Sequence, residues 1–214
     1  MTFGEIYDTI CFNVWGNSAA PERAVEILRR IISRVHRNIQ QDYNYWFMHT
    51  WTTIETSPGV ASYPLTNDYK EMISCVYKVH DEDYFTPPLK PVTSECAHSN
   101  FWPRKDSAEY ARYYEITDRA ITLYPCPSER RTLHIVYYGM LPAPENFTDA
   151  SDQLSQAGGG AIIQLASAEI FKIQKEFDSM RVYLQDAGRE IEYLKEEDRR
   201  RVQNQLYEVL YQEF

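Results

Sequence analysis

Apolar residues recur every three to four positions toward both ends of this chain, and at every second position in between. Val25, Leu28, Ile32, Val35 and Ile39 step by 3, 4, 3 and 4 residues and so line one face of a helix. Ser18 and Pro21 open that helix, because proline is tolerated in a first turn. Ahead of it, Thr2 and Glu5 have the spacing of a capping box, and Phe3, Ile6, Tyr7, Ile10, Cys11 and Val14 follow at helical intervals up to Gly16-Asn17. The N-terminal helices are therefore expected within 1–45. In the C-terminal third, Ile162, Ala166, Ile170, Ile173, Phe177, Met180, Leu184, Ala187, Ile191 and Leu194 continue one stripe, predicting helix over 158–202. A single helix there would run about 50 Å; a break near Gly188 is the other reading. The charge block KEEDRRR (195–201) precedes a tail, 203–214, that crowds Leu206, Tyr207, Val209, Leu210, Tyr211 and Phe214 into its last nine residues.

From Trp46 to residue 144 the pattern belongs to strands. Trp, Thr and Ile fill 46–56, and Ser57-Pro58-Gly59 makes a turn before an extended piece ending at Pro64. Over 71–79, Met72, Ser74, Val76 and Lys78 alternate with Ile73, Cys75, Tyr77 and Val79. Residues 119–139 read as a hairpin: Ile121, Leu123 and Tyr124 lead into Pro125-Cys126-Pro127, and Leu133, Ile135 and Tyr137 alternate with His134, Val136 and Tyr138. Between these strands, 80–110 loses all period and holds an acidic cluster (Asp81, Glu82, Asp83), Tyr84, Phe85 and Trp102. An unpatterned stretch of that length is usually functional or mobile. The expected architecture is a single α+β domain: a bundle of N- and C-terminal helices with an antiparallel β region between them.

Composition sharpens this in three ways. A chain of 214 residues is long enough to close a core without metal or disulfide. Its 17 Tyr, 9 Phe and 4 Trp suit surfaces that become buried when a partner arrives. The net charge of −9 argues against a protein that grips nucleic acid through its phosphates, yet it suits a wall that DNA slides past. Cys11, Cys75, Cys96 and Cys126 are too scattered for a disulfide framework or a zinc motif, so free thiols in a reducing cytoplasm are expected. No basic leader opens the chain, and no apolar run approaches a membrane span.

Candidate chemistry is sparse. QAGGGAIIQ (156–164) sets three glycines before a helix, but it lacks the Lys-Ser/Thr of a phosphate loop and reads as a hinge. His80 with Asp81 and Asp83, and Cys96 with His98, fall short of a metal site and read as a solvated acidic loop. His36, His49 and His134 stand isolated, and no nucleophile elbow or H-E-x-x-H appears. No catalytic residue, metal or cofactor is expected. A metal-dependent enzyme using the 80–98 loop stays as the alternative from another class.

The order of elements resembles a family: the head-to-tail adaptor (connector) proteins of tailed phages, especially short-tailed ones. The resemblance rests on the long N-terminal helix followed by Trp46-Phe47 and a Thr-rich strand, then on Gly59, Tyr63-Pro64-Leu65 and Asp68-Tyr69. It continues with Tyr114-Glu115-Ile116, Ala120-Ile121-Thr122-Leu123-Tyr124-Pro125-Cys126-Pro127 and Val136-Tyr137-Tyr138, covering about residues 20 to 195. It implies a non-enzymatic virion protein of the neck, assembled in the host cytoplasm. Its copies would form a ring of about twelve that binds the portal protein, extends the DNA channel, and offers a platform for tail tube, nozzle or fibre proteins. A tail-tube or nozzle ring is the nearest alternative. On this reading the 203–214 tail contacts the portal; the other reading is that it docks back on its own core. Asp81, Glu82, Asp83, Tyr84, Phe85 and Trp102 serve neighbour or tail-protein contacts, and Tyr124, Pro125, Pro127, Tyr137 and Tyr138 build the hairpin wall.

Overall fold

The computed structural model describes residues 1–79, 84–93 and 107–212, with side chains described outside Tyr84 and 202–212. It is a mixed α+β fold in two compact units, one of Met1–Phe47 with Leu141–Phe214, the other of Met48–Met140.

The first unit is helical. Helix α1 (Phe3–Trp15) starts on the capping box read from the sequence. Thr2 Oγ1 accepts the Glu5 N–H at 3.2 Å, and the Thr2 N–H donates to the Glu5 carboxylate at 2.8 Å. It stops at Gly16, whose left-handed φ of 67° favours a residue without Cβ. Helix α2 (Glu22–Asp42) follows Pro21 and buries Leu28, Ile31, Ile32, Val35 and Ile39. Helix α3 (Gln153–Gln174) is capped by Asp152, which accepts the Ser155 N–H at 2.7 Å. Lys175 at φ 64° turns the chain, and α4 (Phe177–Gln212) runs on from there. Helix α3 packs against α1, α2 and α4, and for that reason it is apolar or small on nearly every side: Leu154, Ile162, Ile163, Ala166, Ala168, Ile170 and Phe171 are all buried.

Two expectations change here. The three glycines lie inside α3, not ahead of it. A Cβ on Gly158 would meet Leu194 at 3.0 Å and Leu154 at 3.1 Å, one on Gly159 would meet Met1, and one on Gly160 the Glu190 carboxylate. Their smallness lets neighbouring segments approach, and the only trace of a hinge is the non-helical φ/ψ of Gly158, −118° and 20°. The break in the C-terminal stripe falls at Lys175-Glu176, while α4 continues unbroken through Gly188.

The second unit is a pair of packed sheets. Its strands are β1 (His49–Glu55), β2 (Ser62–Pro64), β3 (Tyr69–Val79), β4 (Tyr84–Phe85), β5 (Lys90–Pro91), β6 (Ser107–Ala108), β7 (Tyr113–Thr117), β8 (Ala120–Tyr124), β9 (Cys126–Pro127) and β10 (Thr132–Gly139). One sheet has the order β1-β10-β3-β4, all antiparallel. The other is β2-β8-β7-β5, and β6 pairs with β9 alongside. Period two explains the packing: Leu133, Ile135 and Tyr137 of β10 and Cys75 and Tyr77 of β3 face Ile121 and Leu123 of β8 in one core.

The expected hairpin over 119–139 is corrected. Both strands form, but β8 pairs with β7 and β2, and β10 pairs with β1 and β3. Pro125 and Pro127 have no N–H to give a ladder, so this link crosses from one sheet to the other instead of reversing tightly. The true hairpin lies one strand earlier, β7 to β8, around Asp118 and Arg119 at φ 48° and 61°. Two positive φ values in a two-residue turn match the twist of the flanking strands. Trp46-Phe47 also shifts role: it forms a short 3-10 turn, Trp46–Met48, and the strand begins at His49.

Candidate functional site

Two polar clamps fix the helical unit where α3 begins. His36, fully buried on α2, donates from Nε2 to Asp152 Oδ2 at 2.6 Å. Its other nitrogen, Nδ1, accepts from the Gln40 amide at 3.1 Å. The orientation of that amide is set by Leu141, whose N–H donates to Gln40 Oε1 at 2.6 Å. One residue thus fixes the next, and the His36 proton sits on Nε2. Burial pushes the Asp152 carboxyl up, but hydrogen bonds from His36 and Ser155 outweigh it and hold it below the usual carboxylate range. Periodicity missed this site because it read His36 as isolated. The usable signal was His36 and Gln40 flanking the apolar stripe one position after Val35 and Ile39, where buried polar groups need partners.

The second clamp joins the 43–47 connection to α4. Asp198, 5% exposed, accepts the Trp46 N–H at 2.5 Å and the Tyr43 hydroxyl at 3.0 Å. The Arg201 guanidinium lies 4.6 Å over the Trp46 ring, and Tyr45 stacks on Phe47 at 5.1 Å. Burial raises the Tyr45 hydroxyl above its ordinary value.

Past that clamp α4 outruns its support. At about 1.5 Å per residue, the 22 residues of α3 span about 33 Å and the 36 of α4 about 54 Å. The helices run antiparallel with Leu194 beside Gly158, so the start of α3 lies level with Arg199. The remaining turns, out to Gln212, extend some 20 Å beyond it. Leu206, Tyr207, Val209, Leu210 and Tyr211 all fall on this helical extension, and Phe214 lies outside the described residues.

The other expected contact residues are less gathered. Asp81, Glu82, Asp83 and Trp102 lie outside the described residues, as do His80, Cys96 and His98. Tyr84 and Phe85 form β4, where Phe85 is exposed and meets the His134 ring edge-on at 5.2 Å. Of the wall residues, Tyr137 points into the core, accepting from Thr66 at 2.9 Å and donating to Asp68 at 3.1 Å. Tyr138 lies on the opposite face beside His49. Tyr124 donates to Glu115 at 2.9 Å, Pro125 follows a cis bond, and Pro127 is buried. Arg131 then ties the link to 107–110, reaching Glu109 at 2.5 Å and Glu129 at 2.7 Å beneath Tyr110.

Burial makes several thiols and phenols harder to ionise. Burial pushes the Cys75 thiol to about 12 and also raises Cys11 and Cys126. Tyr69 is pushed to about 12 by burial, and Tyr124 to about 12 by burial and then by the Glu115 carboxylate. Among the described residues no three His, Cys, Asp or Glu side chains gather as a metal would require. A 580 Å³ open cleft in the β unit is lined by residues that include Thr86, Lys90, Glu109, Tyr110, Arg112 and Tyr113. Among the described residues no helix is long and apolar enough to cross a membrane.

No curated protein matches the chain. A family model does, over residues 1–207, and its description is SU10 adaptor protein. That span takes in both units, both clamps and most of the α4 extension, so the chain belongs to the SU10 adaptor family of phage adaptor proteins.

Proposed function

We propose that this adaptor is the head-to-tail connector of a short-tailed phage. Its copies close into a ring, of about twelve, beneath the portal. The ring extends the DNA channel and presents a platform to tail tube, nozzle or fibre proteins. The observation that carries the reading is the reach of α4: a helix clamped at Asp198 and then extended some 20 Å past its own bundle. Leu206, Val209 and Leu210 are spaced i, i+3, i+4 on that extension, the pattern by which a helix fills another protein's groove. The acidic balance supports the channel role. Twelve copies at −9 would carry on the order of a hundred negative charges, which repel phosphate and let DNA slide.

The test is to mix the full chain, and a version ending at Arg201, with the portal and image both by electron microscopy. A collar formed by the full chain and absent with the shortened one is the expected result. An unchanged collar with the shortened chain would remove the tail from portal binding. No collar with either would overturn the reading.

A further inference from the structure

Among the described residues β1 is an open edge of its sheet, and three other edge strands are short or carry proline. Among the described residues, β4 is two residues long, and the edges β2 and β5 are short and contain Pro64 and Pro91. Short strands and proline are the usual means of keeping sheet edges from pairing. By contrast β1 has seven residues, with no proline, lysine or glycine. The Thr56 N–H donates to Arg131 O at 2.8 Å, and antiparallel pairs alternate, so Thr50, Thr52 and Ile54 spend their backbone groups on β10. The N–H and C=O groups of His49, Trp51, Thr53 and Glu55 therefore point away from the sheet. The side chains of these four are exposed, and Trp51 is 70% exposed beside Val136.

We infer that β1 is the edge through which two copies of this chain pair, strand to antiparallel strand, about a two-fold axis at Thr52. One register uses every outward backbone group, and it sets His49 against Glu55 of the other copy and Trp51 against Thr53. That register is complementary with itself in hydrogen bonding: a ring N–H donor meets a carboxylate at both ends. Glu55 keeps half its surface while holding Thr132 at 2.6 Å and Arg130 at 3.4 Å, so it has room for the contact. The two Trp51 rings become diagonal neighbours and cover each other. An isologous contact of this kind is distinct from the head-to-tail contacts of a ring, and it protects the edge of unassembled copies.

Sedimentation equilibrium of the full chain tests it. The expected result is a concentration-dependent dimer that becomes monomeric in Thr53→Pro, which removes an N–H unused within one copy, and in Trp51→Lys. Circular dichroism of both should match the parent. His49→Glu should weaken the dimer about three- to tenfold, and adding Glu55→Lys should restore it. A monomeric parent at tens of micromolar, or a dimer indifferent to both Trp51→Lys and the charge pair, would overturn the inference. Imaging Trp51→Lys with the portal separates this result from the ring reading, since a collar there leaves the adaptor role standing.

Discussion

Helices α3 and α4 are adjacent in sequence and packed together, yet they do opposite work. Helix α3 is buried on nearly every side, begins at a capped and clamped aspartate, and is thinned by three glycines so that its neighbours can close in. Helix α4 buries only Ala187, Leu194 and Asp198 fully among its described side chains, leaves Val182, Leu184 and Tyr193 exposed, and continues past the bundle. A helix that stabilises its own unit needs neighbours all round, whereas one that reaches a partner has to leave them behind. On the proposed reading, the difference separates stability from assembly along one stretch of chain.

Substitutions should break the comparison in a graded way. The largest effect is expected in α3: Ile162→Ala opens a cavity in a fully buried site and should cost about 3–4 kcal/mol in urea denaturation. Asp152→Ala removes the α3 cap and leaves the buried His36 Nε2 without its acceptor, costing about 2–4 kcal/mol by the same assay. Asp152 also sets an acid dependence. Its folded value is depressed, so its contribution is complete above the unfolded carboxylate value of about 3.9 and is lost as pH falls through the folded value. Melting temperatures between pH 5 and 2.5 should therefore fall less steeply in Asp152→Asn than in the parent. At the small end, ending the chain at Arg201 should change stability by under about 1 kcal/mol, because the removed turns lie beyond the bundle. A large loss there would show that the extension belongs to the core, and the distinction between the two helices would collapse.

Much of the fold was readable from pattern. Thr2 and Glu5, the Val25–Ile39 stripe and the Cys75–Tyr77 alternation each state a local rule that the structure obeys. A register shift between β3 and β10 breaks the alternation at Ile73, which is exposed while Met72 packs on the core. What escaped was non-local. The apolar alternation of 119–139 named two strands correctly but not their partners. The partners of β10, namely β1 and β3, lie more than fifty residues earlier in the chain, and only the proline-interrupted link hinted that the strands would part. The glycines looked like a hinge because their packing partners, Leu194 and Met1, lie at distant positions in the sequence. Both clamps depend on residues brought together over more than a hundred positions, so no motif spacing records them. For the proposed assembly surface, the aromatic crowding of 206–211 was plain in the sequence. That it sits on a helix already past its support needed the lengths of both α3 and α4.

We propose that α4 carries the adaptor to its partner. Electron microscopy of the full chain mixed with its portal, beside the chain ending at Arg201, tests it most directly. A rotationally symmetric collar with the full chain alone is the predicted result; an identical collar with the shortened chain would contradict it.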